Sequence, residues 1–339
     1  MNKWYETCGA QNDIVFSTRI RLARNVSGYR FPNKMSNDDK FSLIQEVSDA
    51  VFKSEKKDEF SFVDLERLSK IDAVSLVEKH IISPNFAKEP SGRALILKND
   101  ESVSIMINEE DHIRIQVLKS GLEFVNALKE AMEIEKIISE KVKFAYDDQF
   151  GYLTECPTNV GTGLRASAMV HLPALERVNA LERLFNSVSK LGVEVRGTFG
   201  EGSKSNNSMY QISNRITLGM SEDEIVDNIN SIILQFISKE RDIRNSLDKL
   251  QIENISYRSF SVLKYARILS SEELFKLLSD LRFGISMNLI DVPINVVNKL
   301  NLLCGTAGIL KMIERDSANS IERDVKRANF VRDELKEIL

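Results

Sequence analysis

Residues 14–22, IVFSTRIRL, alternate two kinds of side chain, which constrains the fold more than any other stretch of this chain. A period of two predicts a half-buried strand. Ile14, Phe16, Thr18, Ile20 and Leu22 lie on one side, and Val15, Ser17, Arg19 and Arg21 on the other. Successive strand side chains leave opposite faces, so the guanidinium groups of Arg19 and Arg21 project together. From Asp13 to Asp38 the chain also carries Arg24, Arg30 and Lys34 and no acidic residue. A solvated strand face is the plain explanation of two such arginines. A polyphosphate clamp is the sharper one, because the arginine fork matches phosphate oxygens bidentately.

The rest of the chain predicts a sheet for that strand to join. Residues 93–118 contain three short alternating runs, ALILK, SVSIMIN and HIRIQVL, separated by NDE and EED, which predicts an antiparallel meander. VEVRG and MYQISNRITL read as further strands, joined by the polar connector TFGEGSKSNNS, whose length points to a functional loop. Helical spacing covers a segment capped by Ser36 or Asn37 and running to about Lys53, then 121–143, 173–190 and 221–247. Ser221 stands three residues before Glu224, a capping box. Beyond about residue 250 glycines thin out, and 271–282, 292–303 and 320–338 read as amphipathic helices. The expected fold class is therefore α+β, with a catalytic domain at 1–250 in which an antiparallel β-sheet is flanked by helices. An all-helical C-terminal domain at 251–339 follows it.

Composition excludes several classes. Lys+Arg total 46 against 50 Asp+Glu, a net charge of −4 that argues against general nucleic-acid binding. Cys8, Cys156 and Cys304 form no CxxC pair, so neither a disulfide framework nor a zinc site is signalled. No apolar stretch approaches the ~18 residues of a membrane span, and the N-terminus has no signal-peptide core. A reducing cytoplasm is the expected location.

Three further stretches hold candidate chemistry. CPTNVGTGLRAS at 156–167 pairs Gly161 with Gly163, which lets backbone approach a ligand or simply forms a tight turn. It is not a Walker loop, since no GK[ST] follows. VRGTFGE at 195–201 places Arg196 at a strand end and Glu201 in the loop. NEEDHIR at 108–114 puts acids, a histidine and Arg114 at one hairpin, either a solvated turn or a site needing both charge signs.

In this order STRIRLARN (17–25), NEEDHIR, CPTNVGTGLRAS, RGTFGE (196–201) and QISNRITLG (211–219) resemble the catalytic domain of the ATP:guanido phosphotransferase, or phosphagen kinase, family. Kinases of small guanidino compounds carry a helical domain ahead of the first motif. Here 16 residues precede Ser17. With the helical extension at the other end, the chain is similar to the bacterial protein arginine kinases of that family.

The resemblance implies ATP as phosphoryl donor, with Mg²⁺ carried by the nucleotide and no metal held by the chain's own ligands. Ser17, Thr18, Arg19, Ile20 and Arg21 would bind the phosphates, joined by Arg114, by Arg165, Ala166, Ser167, Ala168 and Met169, and by Arg196, Gly197, Thr198, Phe199, Gly200 and Glu201. His80 resembles the family's histidine near adenine, with a satisfied loop histidine as the alternative. A guanidinium is a poor nucleophile at neutral pH, so a carboxylate must orient it and accept a proton. By resemblance Glu110 is that base, Glu201 clamps the other guanidinium nitrogens, and Cys156 stands beside the acceptor. In RDVKRA at 323–328, Arg323 and Arg327 share a helix face, as a salt-laced surface helix also requires. The resemblance implies that Arg323, Asp324, Val325, Lys326, Arg327 and Ala328 form an allosteric phosphoarginine pocket.

The implied activity is phosphorylation of arginine residues in proteins, marking them for regulation or Clp-type degradation. Implied partners are protein substrates with accessible arginines, a zinc-binding activator protein, a heat-shock repressor, the Clp ATPase and protease, and a second copy of the chain in a homodimer. Neither a membrane nor direct nucleic-acid contact is expected. The alternatives are a free-arginine kinase and a catalytically silent adaptor that binds a transcriptional repressor.

Overall fold

The computed structural model describes residues 2–197, 207–315, 317–336 and 338. In chain order, the first part of the fold runs through β1 (Val15–Arg24), α1 (Asn37–Phe52), β2 (Phe60–Asp64), α2 (Lys70–Glu78), α3 (Pro84–Lys88), β3 (Ala94–Lys98), β4 (Val103–Ile107), β5 (Ile113–Ser120) and α4 (Phe124–Ser139). It continues with β6 (Tyr146–Asp147), β7 (Gly151–Tyr152), β8 (Leu164–His171), α5 (Pro173–Arg177), α6 (Leu181–Ser189), β9 (Val193–Gly197), β10 (Met209–Asn214) and α7 (Glu222–Ser246). Then come helices only: α8 (Lys249–Tyr265), α9 (Ser271–Ser286), α10 (Ile294–Leu303), α11 (Thr306–Ile313) and α12 (Ser320–Leu335).

The α+β class and the antiparallel meander are present. Eight strands form one sheet in the order β2-β3-β4-β5-β1-β8-β10-β9, which places β1 near the middle. Register sorts the side chains. Ile20 lies opposite Val117 and Ala166, and Leu22 opposite Ile115 and Leu164. All of these are fully buried, in one cluster with α1, α4 and α7. The next residue along each strand faces the other way. The same two strand pairings set Arg21 opposite Gln116 and Arg165, and Ala23 opposite Arg114. The opposite face of the central strands is therefore cationic and polar. Arg24 is an exception, since it turns to the core side and pairs with Glu135 of α4 at 2.7 Å beneath the ring of Tyr152.

Several helices follow from local signals. Ser36 caps α1 by accepting from the Asp39 amide, and the Ser221–Glu224 capping box opens α7. The helix expected over 173–190 is two, because Asn179 adopts φ 55° between α5 and α6. The strand expected to run through MYQISNRITL ends at Asn214, whose side chain accepts from the Ala166 amide and donates to the Leu164 and Ile216 carbonyls. That side chain replaces the next rungs of the ladder.

Helices α8, α9, α10 and α12 enclose a separate apolar cluster containing Leu263, Leu274, Leu281, Leu300 and Val331. Buried polar groups pin them to the sheet. Arg282 of α9 donates to the Asn12 carbonyl at 2.6 Å and also bonds Asn298. Ser279 bonds His171 and the Asn207 carbonyl at 2.9 Å each. Glu78 of α2 caps α11 by accepting from the Ala307 and Gly308 amides at 2.9 Å each.

Glu240 of α7 is fully buried and accepts from the Ala174 and Leu175 amides and from Arg244 Nε. Glu240→Ala strands a buried cation and two amides. The expected loss of unfolding free energy is about 3–5 kcal/mol, read from the urea midpoint. A shift corresponding to under about 1 kcal/mol contradicts this account.

Candidate active site

The polar face of the sheet floors a cavity of ≈ 810 Å³ lined by Arg19, Arg21, Arg114, Arg165 and Arg196 together with Glu109, Glu110 and Cys156. Strand register alone brings these arginines together. Arg19 and Arg21 come from β1, Arg114 from the adjoining β5, Arg165 from β8 on the other side, and Arg196 from β9 at the sheet edge.

Their electrostatics differ. Glu109 is buried and pairs with Arg114 Nη1 and with the Ser83 hydroxyl. Glu194 is shared by Arg165 and Arg196, the latter at 2.6 Å. Burial works against its charge, but those two cations outweigh burial and hold the Glu194 carboxyl below its ordinary value. Among the described residues Arg19 finds only a neutral side-chain partner, donating to Gln211 Oε1 at 2.7 Å. Burial, then Arg165 and Arg114, push Arg19 down to about 10. Burial, then Arg19, Arg114 and Arg165, push Arg21 well below its ordinary value, and its buried Nε has no hydrogen-bond partner among the described residues. Guanidinium groups held in this way favour an anion that bridges them.

At the rim, Glu110 is exposed and touches Arg114 Nη2 at 3.4 Å. Cys156 is half-buried, with its sulfur 3.0 Å from Thr158 Oγ1. Glu155 completes this acidic end, its carboxyl raised by burial and by Asp111 and Glu110. Thus one end of the cavity is cationic and the other carries carboxylates.

A second cavity, of ≈ 660 Å³, shares Arg19, Arg21 and Arg114 and extends away from that acidic end. Its walls are Val77, Ile82 and Met106 from the sheet side and Leu302, Asn301 and Thr306 from the helical part. His80 lines it with φ 59°, and its imidazole is pushed down to about 4 by burial and then by Arg19. An apolar slot that opens onto a row of arginines has the shape and polarity of a nucleoside phosphate.

Other expected site residues are placed differently. Ser17 shares the cationic side of β1, whereas Thr18 and Ile20 project to the opposite face; Thr18 Oγ1 donates to the Gly121 carbonyl. Ser167 and Met169 share the face of Arg165, but Ala166 and Ala168 are packed in the core. Gly197 ends β9, while Thr198, Phe199, Gly200 and Glu201 lie outside the described residues. Gly161 and Gly163 admit neighbouring chain, since a Cβ there would stand 2.3 Å from the Thr217 carbonyl oxygen and 2.6 Å from that of Ala23, and Gly163 also lines the cavity. In α12, Arg327 is buried, not on a surface face. It donates to the Cys304 and Leu269 carbonyls and to Asp324. Arg323 is half-buried and donates to the Ala318 carbonyl, Ala328 is buried, and Val325 and Lys326 border a shallow groove. Sequence reasoning missed Glu109, Glu155, Glu194 and Gln211. For Gln211 and Glu194 a signal was present in the period-two placement within strands.

Comparison with known proteins agrees with this geometry. The family described as ATP:guanido phosphotransferase, C-terminal catalytic domain, matches residues 42–243, and the protein-arginine kinase McsB C-terminal domain matches residues 249–339. The protein-arginine kinase of Bacillus subtilis is 42% identical over 99% of this chain and 93% of its own length. That of Halothermothrix orenii is 42% identical over 99% and 97%. Among solved structures, lombricine kinase superposes with a TM-score of 0.63 at 24% identity, covering 72% of this chain and 71% of its own. The duplicated taurocyamine kinase of Schistosoma mansoni reaches 0.63 at 27% identity, covering 71% of this chain and 36% of its own.

Arg21→Ala should weaken binding of inorganic tripolyphosphate about tenfold or more, the worth of one charge-assisted contact, as measured by calorimetry. An unchanged affinity removes Arg21 from the anion site. The His80 imidazole should titrate near pH 4 in an NMR series. Its folded value lies below the ordinary 6.5, so the stability it contributes is present above pH 6.5 and is lost as pH falls toward 4. A midpoint at 6.5 contradicts the desolvated placement.

Proposed function

The chain belongs to the ATP:guanido phosphotransferase family and is an ATP-dependent kinase of protein arginine, and we propose that its cationic sheet face performs the transfer between the two ends of the ≈ 810 Å³ cavity. The observation that carries this reading is the juxtaposition, set by register, of Arg19, Arg21, Arg114 and Arg165 next to the carboxylates at the rim.

The purine end of ATP occupies the apolar slot beside His80, and its polyphosphate lies across Arg19 and Arg21. Charge on a transferring phosphoryl group spreads over its equatorial oxygens, so fixed cations accelerate transfer by positioning and electrostatic stabilisation. Arg114 and Arg165 are held in place by Glu109 and Glu194, so little reorganisation is needed. Mg²⁺ carried in on the nucleotide would add to this neutralisation of phosphate charge.

The acceptor guanidinium enters at the acidic end. Its nitrogen attacks the γ-phosphorus, the bond from that phosphorus to the bridging oxygen of ADP breaks, and the released proton passes to the Glu110 carboxylate. Glu110 suits this role because it is exposed at the rim and its contact to Arg114 is long, 3.4 Å. By the family resemblance Glu201, which lies outside the described residues, would be the second carboxylate for the remaining nitrogens, with Cys156 beside them. A planar guanidinium satisfies two carboxylates bidentately where an ammonium cannot, which selects arginine over lysine.

The same reading assigns the 323–328 segment to phosphoarginine binding, with Arg327 fixing one wall through its internal bonds. It includes a zinc-binding activator, a heat-shock repressor as substrate, delivery of marked proteins to a Clp protease, and a cytoplasmic setting. Self-association through the C-terminal helices is supported by exposed Leu250, Tyr257 and Tyr265 on α8 and Ile268 just beyond it.

The test is incubation with γ-labelled ATP, Mg²⁺ and an unfolded protein, beside free arginine, followed by acid. Label on the protein that acid removes is expected, because the P–N bond is acid-labile. Acid-stable label, or label on free arginine alone, overturns the reading. Glu110→Gln should lower kcat by about 10²–10⁴.

A further inference from the structure

A kinase whose acceptor is a residue within a polypeptide must let the chain on either side of that residue leave the cavity. The exit must be at the acidic end, because the nucleotide fills the other. A groove of ≈ 740 Å³, lined by Tyr29, Arg30, Phe31, Lys34, Tyr146 and Leu153 among others, abuts that end. Three chain segments line both spaces. Glu110 faces the cavity and His112 the groove; Glu155 faces the cavity and Leu153 the groove; Asn33 faces the cavity, and its neighbours in sequence, Phe31 and Lys34, the groove. The Asn33–Glu155 hydrogen bond joins two of these segments, and Asn25 bonds both Asp111 and the Leu153 carbonyl. The two spaces therefore share one wall.

The groove exposes large apolar side chains in fixed positions. Tyr146 is 59%, Phe31 37% and Leu153 36% exposed. Tyr146 stacks edge-on against Tyr152 at 5.3 Å, and that ring covers the buried Arg24–Glu135 pair. On the other side, Tyr29 is held by Glu46 at 2.7 Å and packs edge-on against His112. His112 is itself locked, with Nδ1 accepting from the Val26 amide and Nε2 donating to the Arg30 carbonyl. Aromatic surfaces held rigidly bind with little loss of side-chain freedom. Arg30 and Lys34 on the lip favour acidic residues farther along a bound segment.

We propose that this groove docks an extended, unfolded segment of the acceptor protein, taking an apolar or aromatic side chain that flanks the target arginine. The inference rests on the protein-arginine kinase reading and adds to it a preference for the sequence around the acceptor. Folded substrates then react poorly, because a helix is not extended and a strand is already paired within its own sheet.

The experiment compares two nine-residue peptides, each with one central arginine, flanked by phenylalanine in one and by glycine in the other. For the unaltered enzyme, KM for the phenylalanine peptide should be about tenfold lower, the worth of burying part of one such side chain. Phe31→Ala and Tyr146→Ala should each erase most of that difference while leaving KM for ATP and for the glycine peptide within about twofold. Equal KM for the two peptides with the unaltered enzyme, a comparison that needs no variant, overturns the groove while leaving the kinase activity standing. Full discrimination retained by both variants overturns it as well. Failure to phosphorylate either peptide or unfolded protein removes the activity, and the groove's role with it.

Discussion

Mutual repulsion among guanidinium groups on one face of a β-sheet is the constraint around which this molecule is arranged. Arg19, Arg21, Arg114 and Arg165 stand on three adjacent strands; Arg114 and Arg165 depress the proton affinity of both Arg19 and Arg21, and Arg19 depresses that of Arg21 as well. A polar sheet face of this kind is tolerable only if the opposite face supplies the stability, and here α1, α4 and α7 bury an apolar layer against it. Glu109 and Glu194 neutralise the flanks but leave Arg19 and Arg21 without a carboxylate partner among the described residues. The imbalance is local and directional, strongest where a polyphosphate would lie. A net charge of −4 over the whole chain conceals it.

The helical part is not an appendage to this site. Its residues wall the apolar slot beside His80, and Glu78, two residues from His80, caps α11. Lys311 of α11 also pairs with Asp72 of α2 at 2.8 Å. The surface that would meet a nucleoside is thus assembled from both parts of the chain, with the capped helix joining them.

Much of this could be read from the residues. IVFSTRIRL announced a strand with two chemically distinct faces, and the Ser221–Glu224 pair announced the start of α7. What stayed hidden depended on tertiary pairing. No local pattern distinguishes Glu109, folded inward against Arg114, from Glu110 at the rim. Nor does spacing show that Arg327 turns inward to backbone carbonyls, since an i, i+4 pair suits a surface equally well. Helices α8 and α11 escaped notice; α8 packs mainly on the next helix, α9, whereas the partner of α11 lies far away in sequence. For α11 the decisive contact is Glu78.

The division of the sheet into a cationic and an apolar face has a consequence for how such a chain can diverge. Inserting or deleting one residue within β1 or β8 exchanges the faces beyond that point, driving guanidinium groups beneath α4 and α7 and apolar side chains into the cavity. These strands can therefore drift in composition but not in length. Tolerance for added or lost residues is confined to the connections between such strands, so the spacing within Ser17–Arg24 and Leu164–His171 is a more durable lineage mark than the identity of most residues in them.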